Sequence, residues 1–144
     1  ILQECDRPLS RPPADAASLS YRDQLSAVRR FAADGARRAG LPPERVIDLV
    51  LAVGELAANT MAHTGGQGSV RLWAADGEFI CQVDDAGQLA DPLAGRLRPD
   101  PTAPGGRRGL WMVQQVCDLV EVRAGAAGTS IRLHMRLSGV PAWS

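Results

Sequence analysis

From Ser20 to about Arg38, Leu25, Val28, Phe31, Ala32 and Ala36 recur at three- and four-residue steps, and Gly40 follows as a stop. This spacing predicts an amphipathic helix. Pro42 and Pro43 suit a first helical turn. Val46, Ile47, Val50, Leu51, Val53, Leu56 and Ala57 then carry a second helix as far as Gly65 and Gly66. Apolar around much of its girth, it is expected at the centre of the fold. The period then changes to two. Val70, Leu72 and Ala74 alternate, as do Phe79, Cys81 and Val83, and Asp76-Gly77 between them is a hairpin signal. Residues 86–109 hold Pro92, Pro99, Pro101 and Pro104 with little apolar clustering, which reads as a functional loop or lid. After Gly109 a short helix carries Leu110, Met112, Val113, Val116 and Cys117, followed by alternating stretches at 119–123 and 129–137 that turn at Gly125 to Gly128. At the other end, Pro8, Pro12 and Pro13 leave room for a short edge strand at most. The expected order is α, α, β, β, lid, α, β, β, giving an α+β two-layer sandwich with helices on one face of a mostly antiparallel sheet.

A chain of 144 residues, 45% hydrophobic and 22% charged, fits one domain with its own core and excludes disordered or fibrous classes. The division reads as an arm or linker over 1–19, the domain over 20–137 and a tail over 138–144. Sixteen Lys plus Arg balance sixteen Asp plus Glu, so no overall field draws the domain onto nucleic acid or anionic lipid. Cys5, Cys81 and Cys117 form no closely spaced pair, which points to a reducing cytoplasm rather than a disulfide framework or zinc site. The sequence shows no membrane-length apolar run and no signal peptide. It opens on Ile1 rather than Met, as a piece of a longer protein would.

Glu55, Asn59 and His63 lie at i, i+4 and i+8 on the second helix, sharing one face over about 12 Å. Alone, such a triplet is most simply a solvated stripe. Val83-Asp84-Asp85-Ala86-Gly87 adds a strand that ends in two carboxylates and a glycine, at which backbone can approach a ligand. Pro104-Gly105-Gly106-Arg107-Arg108-Gly109-Leu110 adds a glycine-rich stretch opening into a helix, where free N–H groups and two guanidinium forks favour an anion. The two common phosphate-cradle patterns, the P-loop and the dinucleotide fingerprint, are absent.

In this order and spacing the three segments resemble the ATP-binding domain of the GHKL superfamily. Glu55 to His63 resembles its N box, Val83 to Gly87 its first glycine box and Gly105 to Leu110 its second. Within that superfamily, His63-Thr64, the short length and Gly-Leu-Trp-Met-Val from Gly109 look most like the bacterial anti-sigma-factor serine/threonine kinases. The resemblance, over residues 20 to 137, implies a Bergerat-type fold and binding of ATP with Mg²⁺. It implies that Asn59 completes the Mg²⁺ coordination, Glu55 is the catalytic base, Asp85 accepts the adenine amino group and Thr129 supports adenine through water. Gly87 would shape the adenine-side turn. His63, Gly105, Gly106, Arg107, Arg108, Gly109 and Leu110 would lie on the phosphate side.

The implied activity is transfer of the γ-phosphate to a serine or threonine of an anti-anti-sigma factor, with a sigma factor as further partner. The resemblance also allows a homodimer, and it implies no direct nucleic-acid or membrane contact. Two departures stand out. Leu89 occupies a position where the family carries glycine, and four prolines stiffen the lid. They keep open a nucleotide-dependent partner-binding module that transfers phosphate poorly. A third function, the catalytic domain of a sensor histidine kinase, needs an acceptor histidine on an upstream helix, which neither His63 nor His134 provides but which a segment preceding Ile1 would restore.

The remaining residues have ordinary expected roles. Cys81 and Cys117 read as small core residues, Trp111 as packing beneath the lid, His134 as a surface or edge residue, and Arg29, Arg30, Arg37 and Arg38 as a solvated face that serves dimer or partner contacts in the kinases resembled.

Overall fold

The computed structural model describes residues 2–4, 9–63, 67–85, 107–125 and 128–137, with backbone alone for 4, 63 and 107–110. In chain order the elements are β1 (Leu2–Glu4), β2 (Ala17–Tyr21), α1 (Leu25–Ala39), α2 (Pro43–His63), β3 (Gly68–Ala75), β4 (Glu78–Asp85), α3 (Arg107–Val116), β5 (Leu119–Gly125) and β6 (Gly128–Arg136). The strands form one six-stranded sheet in the order β1-β5-β6-β4-β3-β2. Only β1 and β5 pair in parallel among these neighbours.

The alternation of the strands divides the sheet into an apolar and a polar face. Val70, Leu72, Phe79, Cys81, Val83, Val120, Val122, Leu133 and Met135 are buried in a single core with Val28, Ala32 and Ala36 of α1, Leu49, Val53 and Leu56 of α2 and Val113 of α3. The β3–β4 hairpin turns at Asp76-Gly77, both with positive φ (55° and 78°), as a type I′ turn requires. Arg45 of α2 locks the corner where α3 runs into β5. It donates to the Val116 carbonyl at 2.9 Å, pairs with Asp48 at 2.9 Å and reaches Asp118 at 3.1 Å.

Ser20 and Tyr21, which the apolar spacing assigns to the first helix, lie in β2, and α1 begins at Leu25. The arm expected at the start supplies both sheet edges. β1 lines β5 and β2 lines β3, pairings set by neighbouring strands rather than by the weak pattern of Leu-Gln-Glu or Ala-Ser-Leu-Ser-Tyr. Ser10, between the two edges, lies on the polar face, where Arg132 donates from Nη1 to Ser10 Oγ (2.9 Å) and from Nη2 to its carbonyl (2.6 Å). Arg132 also grips Gln82 Oε1 through Nε and Nη2 and stacks 4.9 Å from the Trp73 ring centroid.

His134, expected at the surface or an edge, is only 9% exposed on the interior strand β6. Its Nδ1 lies 3.1 Å from Glu78 and its Nε2 2.7 Å from Glu121. Both ring nitrogens thus lie within hydrogen-bond distance of a carboxylate, and such partners are what a buried polar group needs.

Candidate functional site

Along α2 the positions 47, 51, 55 and 59 form one ridge, each step rising about 6 Å. Ile47 and Leu51 are exposed, at 62% and 53%, whereas Glu55 and Asn59 are half-buried. A solvated polar stripe would show the reverse, with carboxylate and amide outermost. Sheltered polar groups beside exposed apolar ones are the informative departure from ordinary burial.

Asp85 ends β4 on the face of Cys81 and Val83, toward the helices. The β4–β6 ladder runs to Asp84↔Ser130, so the next rung sets Asp85 beside Thr129 on neighbouring strands. Asp84 points the other way and binds Gln82 and Ser130, leaving Asp85 as the carboxylate on the helix side. The row continues outward, because Asp85 pairs with Gly68 and Gly68 with Tyr21. Strand register thus places Asp85, Gly68 and Tyr21 in line across three strands, and the next rung of the β4–β6 ladder adds Thr129 on the fourth.

Gly68 is where the row is shaped. A Cβ there would stand 2.5 Å from Tyr21 Oη and 2.6 Å from its Cζ, so the tyrosine ring lies across the strand position that has no side chain. Tyr21 is 4% exposed, and its hydroxyl is sealed from solvent with no partner at full hydrogen-bond geometry. Burial pushes the phenol above its ordinary range; a side-chain hydrogen bond with Thr60 opposes this, and the charges of Asp85 and Asp84 add to it. Thr60, buried on α2, also donates to the Leu56 carbonyl at 3.1 Å. Tyr21 is therefore the place where α2 and the end of β4 meet.

Extending the β4–β6 register sets Asp85 and Thr129 on neighbouring strand ends, and α2 carries Glu55 and Asn59, both half-buried, on one ridge. Gly87, Gly105 and Gly106 lie outside the described residues, as do the side chains of His63, Arg107, Arg108 and Leu110. Gly109 falls within α3, which starts at Arg107 rather than after Gly109. Trp111 is 60% exposed on α3; the lid expected above it, with Leu89, is also outside the described residues. Cys81 and Cys117 are buried as expected, and burial pushes the Cys117 thiol up to about 12 and that of Cys81 higher still. The four arginines of α1 are exposed. Among the described residues no cluster of three or more His, Cys, Asp or Glu is arranged to hold a metal. A cavity of about 360 Å³ lined by Ser10, Gln82, Arg123 and Ser130 belongs to the polar face, away from this row.

Sequence reading missed Tyr21, Gly68 and Thr60. Thr60 had a signal, as a polar residue four positions after Leu56 on the apolar side of the helix. Tyr21 and Gly68 had none, since only strand register places them beside Asp85.

No curated protein is significantly similar to the chain. Among solved structures, the RsbU and RsbW domains of Rv1364c from Mycobacterium tuberculosis share 19% identity at a TM-score of 0.61, over 88% of this chain and 33% of that one. The chain thus spans a third of that protein's length. The histidine kinase AdeS of Acinetobacter baumannii matches at 10% identity and TM-score 0.51, over 85% of this chain and 68% of its own. The mycobacterial sensor histidine kinase MprB matches at 20% and 0.51, over 84% and 97%. At these identities the likeness is one of fold. The model of the histidine kinase-like ATPase domain matches residues 19–135, and the chain belongs to that family.

Proposed function

We propose that this domain binds ATP with Mg²⁺ and acts as a regulatory protein serine/threonine kinase of the anti-sigma partner-switching type in the cytoplasm. The observation that carries the reading is that the β4–β6 register, which runs to Asp84↔Ser130, carries Asp85 and Thr129 to the helix side of the strand ends, while α2 keeps Glu55 and Asn59 half-buried. The residues fit an adenine nucleotide, because the strand ends offer a carboxylate acceptor at Asp85 and a hydroxyl at Thr129. A carboxylate accepts the adenine amino group and leaves guanine unmatched, at a cost of about 1–3 kcal/mol for an unpaired buried group.

In this reading Asp85 orients the base and Thr129 supports it through water. Asn59 offers the amide oxygen that a magnesium ion accepts while keeping most of its waters. Bound magnesium supplies charge neutralisation at the phosphates. Glu55, four residues away on the same ridge, takes the proton from the attacking serine or threonine hydroxyl. The protein that bears this hydroxyl is an antagonist in the switch, and a sigma factor is the second partner.

Calorimetry with ATP and ADP, with and without Mg²⁺, tests the reading. Wild type binds ATP, Asp85→Asn loses at least tenfold in affinity, Asn59→Ala loses the magnesium dependence, and Glu55→Gln binds ATP but fails to transfer phosphate. Well-folded wild type that binds neither nucleotide would overturn it.

A further inference from the structure

Tyr21, Gly68 and Asp85 occupy successive strands at one level of the sheet. Neighbouring strands lie about 4.8 Å apart, and the ring leaning over Gly68 carries Oη one strand spacing toward Asp85. Any side chain at 68 would displace it, since a Cβ would meet Oη, Cζ and the Asp84 carbonyl at 2.5, 2.6 and 2.9 Å. The ring is held by the core, and the hydroxyl at its tip is buried without a full hydrogen-bond partner. A buried hydroxyl held only by a contact to Thr60 short of full hydrogen-bond geometry is under-satisfied and costs stability, so it has hydrogen-bonding capacity left for a neighbour in the row. Burial keeps the phenol protonated, and it faces the row as a donor.

We propose that Tyr21 is a positioning residue of the adenine subsite, its hydroxyl reaching across Gly68 to hold the Asp85 carboxylate in the orientation that reads the adenine amino group. This rests on the nucleotide reading of Asp85 given above. The bond tightens as the nucleotide seats, as hydrogen bonds in ligand-free sites commonly do. Tyr21 itself contacts no reacting atom; it acts through Asp85.

The test is Tyr21→Phe in the full chain, which keeps the ring and removes only the hydroxyl. Calorimetry compares ATP with purine riboside triphosphate, which lacks the amino group, and thermal unfolding follows the ligand-free protein. The variant weakens ATP about three- to tenfold, the loss of one hydrogen bond, and leaves the analogue within twofold. The ligand-free melting temperature is unchanged or raised, which a merely structural tyrosine would not give. Equal weakening of both ligands, or of neither, overturns the role of Tyr21 while leaving the nucleotide site standing. Wild type that binds no ATP overturns the nucleotide reading and Tyr21's role with it.

Discussion

The tightest joint of the candidate site predicts its own stability couplings. In Gly68→Ala the new methyl would sit 2.5 Å from Tyr21 Oη, 2.6 Å from Cζ and 2.9 Å from the Asp84 carbonyl, about 1 Å inside ordinary contact distance. Neither neighbour yields cheaply, because Tyr21 is 4% exposed and the Asp84 carbonyl belongs to a central strand. Overpacking of this kind costs about 1–3 kcal/mol, and contact on two sides puts the expectation near 3 kcal/mol. Tyr21→Ala alone removes a buried aromatic side chain, also at about 3 kcal/mol. In the double variant the alanine methyl occupies space that the ring vacates, so the total should be about 4 kcal/mol rather than about 6, a coupling near 2 kcal/mol. Gly68→Ala with Tyr21→Phe should recover little, since Cζ stays in place. Urea unfolding of the four variants measures this, with constant m-values as the check that the unfolded states are comparable. Additivity within about 0.5 kcal/mol, or a cost below about 1 kcal/mol for Gly68→Ala, would refute the geometry.

Arg45→Ala removes the bond to the Val116 carbonyl and the pairs with Asp48 and Asp118, and should cost roughly 2 kcal/mol in urea. Arg45→Lys recovers only part of it, because a single ammonium cannot span three acceptors. Alkaline stability is set by the buried thiols. The folded chain holds the Cys117 proton to about 12, against an ordinary value of 9.0, so the unfolded state loses it first. Stability is therefore complete below pH 9 and falls as pH rises toward 12, by up to about 4 kcal/mol from this residue. Cys117→Ala should flatten that fall in unfolding measured at pH 8 and pH 10.5, and an unchanged slope would contradict the burial of the thiol.

Much of the fold was legible in the sequence because its signals are local. The 3.6-residue stripe of α1, the apolar girth of α2 and the period-two alternation about Asp76-Gly77 each follow from side chains within a few residues. The i, i+4 spacing of Glu55 and Asn59 needed only helix geometry, and the Asp85 position only the end of an alternating strand. What failed was non-local. Tyr21 reads as the start of a helix until β3 offers an edge, and His134 reads as a surface residue until Glu78 and Glu121 enclose it.

The sequence by itself determined three helices, two hairpin-like strand pairs and the residue types at the candidate site, since periodicity and residue chemistry are properties of short segments. Only tertiary structure decided that the first residues close both edges of the sheet, that Asp85 rather than Asp84 faces the helices, and that Tyr21 bends over Gly68 toward it. These depend on strand order and register, which join residues dozens of positions apart and leave no mark in local pattern.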